Sequence, residues 1–74
     1  MIAVKNRVRA MREALGLTQA ELGGRTGVSR QAINAIETGK YDPSIGLAHA
    51  LSKVFSCAIE DIFIFEDGEE NETE

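Results

Sequence analysis

The 74 residues predict an all-α fold, a compact bundle of about five helices. Three observations carry that expectation. Apolar residues recur at spacings of three and four along most of the chain. Hydroxyl residues and glycines mark helix starts and stops at short intervals. No strand-like alternation occurs before residue 60.

Val4, Val8, Met11 and Leu15 form one apolar helix face, and Gly16 follows as a stop, so a first helix is expected from about Lys5 to Leu15. Thr18 and Glu21 stand at capping-box spacing, hydroxyl to one backbone N–H and carboxylate back to the other. A short second helix starts there and stops before Gly27. Ser29 opens a third, with Ala32, Ile33 and Ile36 turned inward and Gly39 ending it. Pro43 and Ser44 make a turn and an N-cap for a fourth, whose apolar side is Ile45, Leu47, Ala48, Leu51, Val54 and Phe55. Ile59, Ile62 and Phe63 predict a short fifth, and Ile64 and Phe65 carry the apolar character to the edge of an acidic run. No repeat or linker divides the chain, so residues 1–65 are expected to be one domain and 66–74 a disordered acidic tail.

Composition narrows the function. The lone Cys57 cannot form an internal disulfide, and it reads as a small packed residue rather than a reactive thiol. No cysteine–histidine spacing implies a metal, and no cofactor or effector pocket is expected in a core this small. No apolar run approaches the ~20 residues of a membrane span, and the N-terminus lacks a signal-peptide pattern, so a cytoplasmic protein without membrane contact is expected. An enzyme needs a constellation of groups. His49 is the only histidine, it lies within a helix, and no phosphate loop or nucleophile elbow accompanies it.

The net charge of −4 at first opposes a nucleic-acid partner. Six of the twelve acidic residues, however, lie in the run from Glu66 onward. The remainder holds eight basic and six acidic residues, a net of +2, with Lys5, Arg7, Arg9, Arg12, Arg25, Arg30 and Lys40 all early. Such a body is compatible with DNA.

Thr18 and Ser29 start two helices only eleven residues apart, with Gly27 between them. Gly23, in the middle of the second helix, costs roughly 1 kcal/mol relative to alanine. A small residue there lets the third helix cross close by, at the steep angle of a helix-turn-helix. Val28, Ile33 and Ile36 would anchor the third helix, leaving Ser29, Arg30, Gln31, Asn34, Ala35 and Thr38 on its outer side. That face is polar and free of carboxylates until Glu37. Arg can bond guanine bidentately in the major groove, and Gln and Asn can do the same to adenine.

From about Asn6 to Phe65 the chain resembles the phage-repressor and Cro-like helix-turn-helix family, also called the xenobiotic-response-element family. The resemblance rests on LGLTQAEL, GVSRQAINAIETGKYDPS and a closing IEDIF. It is similar above all to the small stand-alone bacterial or archaeal regulators built of this domain alone. The resemblance implies sequence-specific double-stranded DNA binding by a homodimer, reading a palindromic operator with the third helix of each subunit, as a transcriptional repressor. It matches Thr18 and Gln19 to phosphate-contacting positions, Ser29 to a cap that also nears phosphate, and Arg30 and Gln31 to base-reading positions with Asn34 and Ala35 behind them. Lys40 and Tyr41 match a backbone-contacting loop. Arg12 and Glu37 match a pair linking the first helix to the end of the third, which we expect to be shielded rather than two independent surface charges.

Gly24, Ser56 and Ala58 depart from the family pattern, which has a helix-forming polar residue, a glycine and a Ser or Thr cap there; a softer second helix and C-terminal third are expected. The surplus of large apolar residues at Ile59, Ile62, Phe63, Ile64 and Phe65 predicts a dimer interface. A rival reading is a protein-binding module, such as an antitoxin or controller, whose acidic tail meets a basic partner.

Overall fold

The computed structural model describes residues 2–67, with side chains placed for residues 5–65. Among the described residues there are five helices: α1 (Val8–Ala14), α2 (Gln19–Thr26), α3 (Arg30–Glu37), α4 (Ile45–Phe55) and α5 (Ile59–Ile62). Two strands join the ends of the domain, β1 (Ile2–Asn6) and β2 (Phe63–Asp67), paired antiparallel from Ile2↔Asp67 to Asn6↔Phe63.

Three of these helices, α2, α3 and α4, start where the capping residues predict. Thr18 Oγ1 accepts from the Glu21 N–H at 3.0 Å, and the Glu21 carboxylate accepts from the Thr18 N–H at 2.8 Å. Ser29 and Ser44 each accept from the N–H three residues on, both at 3.1 Å. Each bond satisfies one of the N–H groups that a helix start leaves without an internal partner.

The chain's entry differs from expectation. Residues 2–6 form a strand, and the first helix begins at Val8 rather than about Lys5. Asn6 decides the boundary. Its Oδ1 accepts from the Val8 N–H at 3.1 Å, and its Nδ2 donates to the Ile36 carbonyl at 2.9 Å. Val4 and Lys5 therefore pair with Phe65 and Ile64 instead of continuing the apolar face of α1. Leu15, expected on that face, lies past the end of α1 and is exposed. At the other end, Glu66 and Asp67 belong to β2, so the strand runs into the acidic segment expected to be disordered; residues 68–74 of that segment lie outside the described residues.

The core is Val8, Leu22, Ile33, Ile36, Leu47, Ala48, Leu51, Ile62 and Phe63. Among the described residues no polar or charged residue belongs to this core. Ile62 and Phe63 were expected at a dimer interface. They instead close the protomer's own core at 0% and 3% exposure, at the point where α5 runs into β2 and β2 pairs with β1.

The hinge between α2 and α3 rests on two glycines. A Cβ at Gly23 would lie 2.5 Å from the Val28 carbonyl oxygen and 3.3 Å from the Ser29 carbonyl. What needs the room is thus the turn's backbone. Gly27 holds φ +82°, a left-handed conformation that resists a side chain, and its N–H and that of Val28 both return to the Gly23 carbonyl.

Candidate nucleic-acid interface

α2 and α3 present a shared polar surface. Thr18 caps α2, and Ser29 caps α3, so Arg30 and Gln31 open α3 as exposed side chains. One helical turn further on, Asn34 and Thr38 continue that exposed face, while Ala35 is half-buried. Lys40 and the Tyr41 side chain, 48% exposed, lie in the loop after α3. The Lys40 N–H bonds the Ala35 carbonyl, tying that loop to the end of α3. The face itself holds no acidic residue from Ser29 to Ile36.

Behind the face, a pair of charges fastens α1 to α3. Arg12 Nε donates to Glu37 Oε2 at 2.6 Å, and Arg12 Nη2 donates to Oε1 at 3.2 Å. The side chains are only 12% and 4% exposed. Arg12 Nη1 also donates to the Leu17 carbonyl at 2.8 Å, so one guanidinium links α1, the α1–α2 turn and α3. Burial pushes the Glu37 carboxyl up, but the hydrogen bonds from Arg12 and Gln19 and the Arg12 charge outweigh it and hold it below the usual carboxylate range. The bond from Glu37 chiefly raises the Arg12 guanidinium despite its desolvation. Both groups stay charged at neutral pH. Glu37, the first carboxylate along the face, is thereby matched by a cation and withdrawn from the surface.

Gln19, the first residue of α2, is half-buried and turned toward α3. Its Nε2 donates to Glu37 Oε1 at 3.0 Å and to Asn34 Oδ1 at 3.2 Å. Arg12, Gln19, Asn34, Glu37 and Thr38 thus line a single polar depression, with Arg9 at its rim. Arg9 itself pairs with Glu13 at 3.2 Å in the open.

Two contacts escape the sequence-level reading. The strap from Asn6 to the Ile36 carbonyl fixes the end of α3 from the far terminus. Its only local sign is that asparagine is a cap-type residue standing just before an apolar helical pattern. The link from Gln19 to Asn34 spans fifteen residues and becomes visible only once α2 and α3 are placed.

The departures from the family pattern have structural counterparts. Ser56 ends α4 at φ +55°, a left-handed position without glycine. Ala58 offers no side-chain acceptor at the start of α5, and only the returning bond survives, from its N–H to Asp61 Oδ2 at 3.1 Å. Cys57 is half-buried, and burial, with the nearby Asp61 charge, pushes its thiol up. Among the described residues no group of three or more His, Cys, Asp or Glu could hold a metal, and no helix is long and apolar enough to cross a membrane.

Known proteins carry the same pattern. A family model described as helix-turn-helix matches residues 8–62. An uncharacterized HTH-type transcriptional regulator of Methanocaldococcus jannaschii is 53% identical over 66 residues, which cover 89% of this chain and 100% of that protein. The HTH-type transcriptional regulator YgzD of Bacillus subtilis is 46% identical over 64 residues, 86% of this chain and 97% of that protein. Among solved structures, the P22 c2 repressor in complex with the synthetic operator 9T superposes with a TM-score of 0.71 at 39% identity, covering 73% of this chain and 82% of that one. Each is named as a regulator or repressor and none as an enzyme. The chain belongs to the helix-turn-helix family of transcriptional regulators, in its phage-repressor form.

Proposed function

We propose that this protein binds double-stranded DNA sequence-specifically and represses transcription, inserting α3 into the major groove. The observation that carries the reading is the α3 face. Arg30, Gln31, Asn34 and Thr38 stand exposed side by side, and Glu37 is neutralised by Arg12 instead of facing the phosphates. Arg30 and Gln31 reach base edges, with Asn34 and Ala35 behind them. Thr18, Gln19 and Ser29 lie near the phosphates at the two helix starts, where free N–H groups favour an anion, and Lys40 and Tyr41 meet the backbone on the other flank. The complex of the P22 c2 repressor with the synthetic operator 9T supports operator binding by similarity.

The protein acts as a homodimer. Of the five residues expected at the interface, Ile59, Ile64 and Phe65 remain available, since Ile62 and Phe63 serve the core. Ile45, at 85% exposure, joins Phe65, at 59%, beside an apolar groove that also takes in Pro43, Ala48 and Ile59. A two-fold axis through this face would set two copies of α3 one DNA turn apart, about 34 Å. The test is selection of bound duplexes from a random pool, with light scattering on the free protein and the complex. Enrichment of a palindrome by a dimer is the expected result. A pool that stays random, or a monomer on DNA, would overturn the corresponding half of the reading.

A further inference from the structure

Each polar group leading to Asn34 has its role forced by the group before it. Arg12 can only donate, and the ionised Glu37 carboxylate can only accept. Glu37 Oε1 lies 3.0 Å from the Gln19 amide, so Gln19 must turn its nitrogen toward it; the opposite orientation would set two oxygens against each other. That nitrogen carries two hydrogens, and the second goes to Asn34, 3.2 Å away. Asn34 must then turn its carbonyl toward Gln19, which leaves Nδ2 on the side away from α2. The order runs in one direction from Arg12 through Glu37 and Gln19 to Asn34.

An unrestrained asparagine amide can rotate by half a turn and exchange its donor with its acceptor, at little cost in shape. An amide so exchanged offers a base edge the reverse pattern of donor and acceptor, and the major groove distinguishes bases by that pattern. The lock therefore converts Asn34 from an ambiguous reader into a single-valued one. We propose that Gln19 is a positioning residue for base recognition: without touching a base, it fixes the Asn34 amide and so sets which base pair Asn34 accepts. This rests on the reading of α3 as the DNA-reading helix, and adds to it a partner outside that helix.

The test compares relative affinities for a set of duplexes differing at single positions of the selected site, using wild type, Asn34→Ala, Gln19→Ala and the double variant. In wild type, Asn34 should impose a preference of roughly tenfold at one position per half-site, the size of a single good contact. Asn34→Ala should flatten that position. Gln19→Ala should flatten the same position to within about twofold while leaving the positions read by Arg30 and Gln31 unchanged, and the double variant should be no flatter than either single one. A uniform loss across all duplexes cancels in these ratios, so a phosphate contact by Gln19 cannot imitate the result. As a second variant, Asn34→Asp keeps an acceptor toward Gln19 but removes the groove-facing donor. It should turn the preference toward a base that donates, cytosine or adenine. Urea titration of each variant confirms that it is folded. If Asn34→Ala flattens a position and Gln19→Ala leaves it sharp, the positioning role is overturned while α3 remains the reader. If wild type distinguishes no duplex, both fall together.

Discussion

Replacing Arg12 by Met should cost about 2–3 kcal/mol of folding free energy, well beyond an exposed ion pair at about 0–1. The surroundings set the figure. Glu37 is 4% exposed, and Arg12 supplies both of its carboxylate oxygens with a donor as well as bonding the Leu17 carbonyl. Stranding one member of a fully buried pair costs about 3–5 kcal/mol. Here Gln19 would still bond Glu37 and the site adjoins solvent, which places the cost below that range. With a slope near 1 kcal/mol per molar urea for so small a protein, the midpoint followed by far-ultraviolet circular dichroism should fall by about 2–3 M. Acid gives a second reading of the same pair. Glu37 titrates below the usual carboxylate range when folded. Its contribution is therefore fully present above the unfolded value of about 4.3 and is lost as pH falls through the folded one. From about pH 5 downward, wild type should lose stability more steeply than Glu37→Gln, in which that titration is absent. A loss under about 0.5 kcal/mol on Arg12→Met, with matching acid profiles, would refute the view that this pair is shielded and orients α3.

Adjacent glycines should respond in opposite ways. Gly24→Ala meets nothing within 4 Å and should stabilise by about 0.5–1 kcal/mol, whereas Gly23→Ala forces the Val28 carbonyl aside and should destabilise by about 1–3, both read from urea midpoints. Ser56→Gly should gain about 1 kcal/mol by relieving the left-handed position, and Ala58→Ser a similar amount by completing the cap of α5, both measured by thermal melts. Cys57, with its thiol pushed up by burial and Asp61, should react with a disulfide reagent at pH 8 far more slowly in the native protein than in urea; equal rates would contradict its packing.

What the sequence makes legible is what its residues decide locally. Thr18 with Glu21, Ser29 and Ser44 each announce a helix start through a side chain that bonds a backbone N–H three residues away, and all three starts lie where those residues place them. Arg12 and Glu37 are twenty-five residues apart, and their meeting was readable through family resemblance, not from spacing. The pairing of β1 with β2 is not legible. Val4 fits a helical period with Val8 and Met11, and its place in a strand is settled by Phe65 at the other end of the domain. The same long-range closure moved Ile62 and Phe63 from an expected interface into the core, since apolarity alone does not say which surface a side chain will cover. For the site, the outward face of α3 follows from the inward positions of Ile33 and Ile36. The Gln19–Asn34 link depends on the crossing of α2 and α3, which the pattern implies but does not dimension.

The central claim, that α3 reads base edges, is tested most directly by the ratio of specific to nonspecific affinity. Fluorescence anisotropy on the selected operator and on a scrambled duplex supplies it for wild type, Arg30→Ala, Gln31→Ala and Lys40→Ala. Arg30→Ala and Gln31→Ala should each weaken operator binding by about 1–3 kcal/mol and lower the ratio. Lys40→Ala should weaken both duplexes alike and reduce the salt slope by about one per subunit, leaving the ratio intact. An unchanged ratio for both Arg30→Ala and Gln31→Ala would contradict the account: α3 would be a scaffold, and a protein-binding role would take the place of base reading.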